Sequence, residues 1–123
     1  MLQAYSTDIA IAANAAVPFN NLILEKGCTA KLSSPSIIQL NKCGVYMVSV
    51  DSSAEATTNL QLYKDGIAQP QAQSTGLNPS FVALVQVDHN NSKCCCDIST
   101  NLQVISDAAA TLTNVNIVVT KIC

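Results

Sequence analysis

Six cysteines are the residues of this chain whose types and spacing most invite a chemical role. They are Cys28, Cys43, Cys94, Cys95, Cys96 and Cys123. Neighbouring side chains on a strand point to opposite faces, so Cys94 and Cys96 would share one face and Cys95 would take the other. Adjacent residues cannot all ligate one ion, and no Cys-x-x-Cys spacing is present, so the pattern argues against a zinc site within one chain.

Three states of these cysteines stay open. Free cysteines behave as small buried apolar residues. An even number also suits disulfides, here formed after release from the cell and joining Cys28 or Cys43 to one member of the triplet Cys94, Cys95 and Cys96. Zinc would have to be shared between protomers. We predict disulfides or buried thiols, with no metal and no cofactor.

The remaining polar residues do not form a catalytic set. His89 is the single histidine, which excludes a Ser-His-Asp triad and a multi-histidine metal site. It follows Asp88 in a polar stretch typical of an exposed loop. Most of the eight acidic residues fall in turns, where a carboxylate accepts backbone hydrogen bonds. The four glycines are scattered and form no phosphate loop. We predict a protein that is not an enzyme and has no catalytic residues.

Composition indicates one domain with an unusual surface. The 123 residues are 49% hydrophobic and only 11% charged, against roughly 25% charged in an average globular chain. Either Ser, Thr, Asn and Gln supply the polar surface, or other subunits cover part of it. The net charge of −2 and six scattered lysines argue against a nucleic-acid partner, which needs a basic patch.

The N-terminal residues carry no recognisable targeting signal. They lack the basic start and apolar core of a signal peptide, and no run approaches the ~20 apolar residues of a membrane helix. We therefore expect synthesis in the cytoplasm without membrane insertion. Residues 1–8 contain Leu2 and Tyr5 without periodic support, and we predict an anchoring segment there, followed by a domain over residues 9–123.

Alternating apolar residues predict strands along the whole domain. The run after Gly44 alternates between two sets of residues: Val45, Met47 and Ser49 form one set, and the apolar residues at 46, 48 and 50 form the other. A second alternating run, over residues 59–64, closes on Asp65-Gly66, a strong hairpin signal. Further strands are expected at 9–11, 22–24, 37–40, 67–69, 102–106 and 111–122, the last with a bulge near Asn114.

The run from Phe81 to Val87 is apolar on both faces for much of its length. A strand of this kind is covered on both sides, here by the partner sheet and by something else. Eight to ten short strands in one domain predict an all-β, single-domain sandwich or jelly roll.

The chain resembles the tumour-necrosis-factor-like jelly rolls, which include the globular heads of complement proteins. The residues that carry this resemblance are Val17-Pro18-Phe19, the Gly-x-Tyr strand that starts at Gly44, and the run over 59–66. It is similar in particular to the C-terminal domains of bacterial collagen-like spore-surface proteins and their phage relatives. The resemblance spans roughly residues 8–122, but a Gly-X-Y stalk is absent and the cysteine triplet is an addition.

The resemblance implies a homotrimer whose sheets pack around a threefold axis. It would place five residues in the trimer interface or the core: Tyr46, Tyr63, Phe81, Val85 and Val119. The alternative is a monomeric sandwich that buries both faces of the 81–87 strand.

Two functional classes follow from this reading. The first is a bacteriophage virion protein that decorates the capsid or a fibre, or serves as a head-fibre or host-attachment knob. Its partners would be its own copies, a capsid or fibre protein bound through residues 1–8, and a host surface molecule. The second is a bacterial surface or spore-coat trimer with an adhesive or ligand-binding role, which would call for an export signal or a stalk. A carbohydrate-binding module is disfavoured by the absence of Trp and by the 4% aromatic content.

Overall fold

The computed structural model describes residues 1–27, 29–87 and 100–122, and within them every regular element is a strand. The ten strands are β1 (Leu2–Ile11), β2 (Asn21–Glu25), β3 (Ala30–Ser34), β4 (Ile37–Leu40), β5 (Gly44–Ala54), β6 (Thr58–Lys64), β7 (Ile67–Gly76), β8 (Phe81–Val87), β9 (Thr100–Ser106) and β10 (Ala110–Lys121).

These strands form two five-stranded antiparallel sheets. Sheet A has the order β2-β1-β10-β5-β8, and sheet B has the order β3-β4-β9-β6-β7. The first and last strands pair with each other in the interior of sheet A. One face of each sheet packs on the other, and alternate residues of each strand enter the core between them. The predicted all-β sandwich of eight to ten strands is confirmed.

Several elements match their sequence signals closely. β4 and β8 have the predicted bounds. The register of β10 against β5 shifts between Leu112 and Asn114, where a bulge was expected. Asp65 and Gly66 both have positive φ angles, of 51° and 81°, as a two-residue hairpin turn between β6 and β7 requires.

Two strands depart from the sequence prediction. β7 was expected over residues 67–69, with Pro70 marking either an edge strand or an exit from the sheet, and it continues to Gly76. It lies at the edge of sheet B, where a proline without an N–H is tolerated. β3 carries only two apolar residues, Ala30 and Leu32, so its alternation was too weak to identify.

The N-terminal residues form part of sheet A, and β1 spans the predicted boundary between residues 8 and 9. β1 lies between β2 and β10, and its Leu2 and Ala4 are fully buried. The side chain of Ser6 is buried as well and donates a hydrogen bond to the Pro18 carbonyl, at 2.7 Å. Ala and Ser occupy inward positions of the strand, so apolar and polar residues alternate only weakly there. The sequence therefore did not predict this part of the strand. An anchoring role for residues 1–8 stays a prediction.

Candidate assembly surface

β8 presents apolar side chains to both of its faces. Phe81, Ala83, Val85 and Val87 are buried between the sheets. The alternate residues point away from the core, where Val82 is 64% exposed and Leu84 is 57% exposed. The partner sheet therefore covers one face, as expected, while the other face is open in the single chain.

The open face continues from β8 across two neighbouring strands. Leu84 pairs with Met47 of β5, and Val82 pairs with Ser49. On the far side of β5, Met47 pairs with Thr120 of β10 and Ser49 with Val118. We call this surface the outer face of sheet A, and define it as Val45, Met47, Ser49, Val82, Leu84, Val118 and Thr120.

The outer face of sheet A carries no charged residue. The nearest charged position in register is Asp51, two residues beyond Ser49 on β5, where it pairs with Asn116. The neighbouring outward residues of β1 are Gln3 and Tyr5, which are also uncharged. Covering such a face removes no ion from water, and burying an ion without a partner is the costliest step in forming an interface. Depletion of charge is typical of the centre of a protein interface.

The outward face of sheet B has a different chemistry. It is rich in amides, among them Gln39, Asn59, Gln61, Asn101 and Gln103. Several of these groups hydrogen-bond along the sheet: Asn59 Nδ2 donates to Thr75 Oγ1 at 2.6 Å, and Gln61 Nε2 donates to the Gln69 carbonyl at 3.2 Å. This face suits water, so the low charge of the chain reflects two surfaces, one of amides and one largely apolar.

The structure places the predicted interface or core residues within the sandwich or on sheet B. Tyr46, Phe81, Val85 and Val119 are buried between the sheets. Tyr63 is half-buried on the outward face of sheet B, opposite Gln103. None of the five belongs to the outer face of sheet A. Four of the five therefore lie in the core, and a role of any of them in a trimer interface stays a prediction. The exposed residues of the outer face, Val82 and Leu84, are sequence neighbours of Phe81 and Val85.

Tyr46 closes one end of the core. Its hydroxyl donates to the Lys42 carbonyl at 2.7 Å and lies 3.3 Å from the Thr29 carbonyl. Burial raises the pKa of the Tyr46 hydroxyl above its ordinary value of 10.0. The protonated hydroxyl thus links the start of β5 to the segment that leads into β3.

Cys43 is disulfide-bonded and lies directly before β5. The other predicted members of the cluster, together with His89 and Cys123, lie outside the described residues: Cys28, Cys94, Cys95 and Cys96. Their pairing stays a prediction. The described residues contain no group of three or more His, Cys, Asp or Glu side chains that could hold a metal ion.

No helix in the described part of the chain is long and apolar enough to cross a membrane.

No family model and no curated protein matches this sequence. Solved structures do match it over nearly the whole chain. The vertex protein P5 of PRD1 superposes with a TM-score of 0.68 at 17% identity, covering 99% of this chain and 96% of P5. The globular domain of zebrafish complement 1qA superposes with a TM-score of 0.75 at 12% identity, with the same coverage of 99% and 96%. The fold is a tumour-necrosis-factor-like jelly roll. The resemblance read from the sequence is therefore confirmed for this jelly roll at the level of fold, and at these identities the match shows the fold alone.

Proposed function

We propose that this protein is a non-enzymatic structural component of a bacteriophage virion, in which three copies associate through the outer face of sheet A. The observation that carries the proposal is the uncharged, apolar outer face, on which Val82, Leu84 and Met47 are exposed. Displayed on the capsid or a fibre, the trimer serves as decoration, head fibre or host-attachment knob.

The energetics of the outer face support association. Fully burying an aliphatic side chain contributes about 1.5–3 kcal/mol relative to leaving it in water. Each protomer has three such side chains, and burying them in an interface gives a favourable free energy of association that a monomer in water does not gain. In a cyclic trimer, one patch of each chain contacts a different patch of the next, so the Val82–Leu84 edge meets another part of sheet A on its neighbour.

The match to a vertex protein supports a place on a virion. P5 of PRD1 shares the fold over 99% of this chain. A protein with that role would contact the capsid at one end and present its other end to the outside. In our proposal, the partners are its own copies, a capsid or fibre protein and a host surface molecule. Attachment through residues 1–8 forms part of this proposal.

A bacterial surface or spore-coat trimer with an adhesive role is the competing function. The match to a complement globular domain keeps it open, since that match shows the same fold in a protein that is not part of a virion. Antibodies against the purified chain separate the two. Immunogold labelling of virions from a lysed culture should decorate the particles. Label confined to the cell envelope or spore coat, with none on the particles, would support the surface protein.

A further inference from the structure

We propose that the end of the sandwich where β5 begins and β10 ends is a docking surface for an acidic, partly apolar segment of a partner protein. This inference rests on the proposed function, since it assigns the end through which the assembly attaches. We call this region the lysine end.

The five described lysines all lie in this half of the sandwich. Lys42 directly precedes β5, and Lys121 ends β10, where it pairs with Tyr46. Lys64 reaches the β8 edge, where its Nζ donates to the Gln86 carbonyl at 2.6 Å. The other two follow β2 and enter β3: Lys26 and Lys31.

Four of the six described carboxylates lie towards the opposite end. Asp8 is next to Ile9, which pairs with Leu112 at the start of β10. The Glu55 backbone N–H donates to the Thr111 carbonyl at 3.1 Å, at the same end. Asp107 follows β9, and Asp51 lies in the adjoining half of β5. Charge is therefore separated along the strand direction.

The two carboxylates in the lysine half accept hydrogen bonds from the backbone. Glu25 Oε2 accepts from the Leu32 N–H at 3.3 Å. Asp65 Oδ1 accepts from the Asn101 N–H at 2.9 Å. They leave an excess of lysine in this half of the described chain.

A cleft of about 460 Å³ opens at the lysine end. The described residues that line it include no Asp or Glu: they are Met1, Lys26, Gly27, Thr29, Thr120, Lys121 and Ile122. The side chains of Met1 and Ile122 are exposed by 47% and 52%. The cleft thus combines ammonium groups, hydroxyl groups and exposed apolar surface, which matches a segment of carboxylates interspersed with apolar side chains.

A protein segment fits the lysine end better than a nucleic acid. The apolar walls offer nothing to a phosphate backbone, and the chain as a whole has a net charge of −2. The four carboxylates at the far end add a field that repels a long polyanion. In a cyclic trimer, the axial components of three equal charge separations add. Three clefts then face the same way, and simultaneous engagement strengthens attachment to one particle.

The test uses the full chain and two labelled ten-residue peptides, one alternating Glu and Leu and the other alternating Lys and Leu. Fluorescence anisotropy should show that the acidic peptide binds, that the basic peptide does not, and that binding weakens between 50 mM and 300 mM NaCl. The affinity should fall roughly two- to fivefold for Lys26→Gln, the range expected for one exposed ion pair, and further for Lys26→Glu. Lys31→Gln is the matched control, since Lys31 is exposed but lies on β3 outside the cleft, and it should have less effect.

Equal binding of both peptides, no binding of either, or equal losses for Lys26→Gln and Lys31→Gln would overturn the proposal. Tighter binding of a single-stranded oligonucleotide than of the acidic peptide would overturn it as well. The oligomeric mass and virion labelling are measured separately. If the protein is a trimer on virions but does not bind the acidic peptide, only this inference is wrong. If it is a monomer that binds the peptide, the docking surface at the lysine end stands and the proposed trimer is wrong.

Discussion

Leu84 of β8 lies directly opposite Met47 of β5, and both side chains point away from the core. Directly opposed residues on one face of an antiparallel pair contact each other and stabilise the sheet. Here the pair is also 57% and 37% exposed, so it stabilises the sheet incompletely until another surface covers it. This pair is the centre of the outer face of sheet A.

Leu84→Asp should dissociate the trimer without unfolding the chain. The substitution removes part of the about 1.5–3 kcal/mol that full burial of a leucine contributes, since Leu84 is 57% exposed in the single chain. It also places a carboxylate in the proposed interface, so the dissociation constant should rise at least about tenfold. Light scattering over a dilution series measures this change. The matched control is Ile67→Asp, because Ile67 is 68% exposed at the β6–β7 hairpin of sheet B. Equal effects of the two variants would show that the outer face has no special role.

Val85→Asp, one residue further along β8, should unfold the chain itself. Val85 is 2% exposed between the sheets, and an uncompensated buried charge costs several kcal/mol, roughly. Thermal melting followed by circular dichroism should show lost or strongly lowered cooperativity for Val85→Asp and near-wild-type secondary structure for Leu84→Asp. If Val85→Asp melted like the wild type, the phase assigned to β8 would be incorrect.

Reduction of the protein should lower its stability. Cys43 is disulfide-bonded, and a disulfide typically contributes about 2–4 kcal/mol. The sequence predicts that its partner is one of Cys94, Cys95 and Cys96.

Peptide mapping after alkylation under denaturing conditions identifies the partner of Cys43. At least two cysteines should be unavailable for alkylation because they form a disulfide. Cys43→Ser should lower the stability by the same amount as reduction does. Six free thiols in the native protein would contradict the disulfide. Stoichiometric zinc in elemental analysis, with a melting temperature lowered by a chelator, would replace it with a metal site.

We predict that the raised pKa of the Tyr46 hydroxyl makes the protein lose stability in alkaline solution. Because its pKa is raised in the folded state, the folded chain holds this proton more tightly than the unfolded chain. That contribution is complete below pH 10 and is lost as the pH rises through the folded-state pKa. Urea unfolding above pH 10 should therefore show a steeper decline for the wild type than for Tyr46→Phe. Tyr63→Phe leaves Tyr46 in place and should keep the steep decline; a decline retained in Tyr46→Phe would show that another group causes it.

Much of the fold was predictable because most strands have strong apolar alternation. β4 and β8, the Asp65-Gly66 turn and the bulge of β10 all follow from local patterns. β1 and β3 did not, because small or polar residues occupy several of their positions. Local sequence could not set the phase of β8 either. Both faces of this strand are apolar in the sequence, with Val82 and Leu84 on one face and Phe81 and Val85 on the other. Only the register of β8 against β5 decides which face enters the core.

The mass of the purified chain in solution tests the central claim most directly. Multi-angle light scattering at micromolar concentration should give three times the chain mass of 12.9 kDa, and the Leu84→Asp variant should give the mass of one chain at the same concentration. A wild-type mass of one chain under these conditions would contradict assembly through the outer face of sheet A.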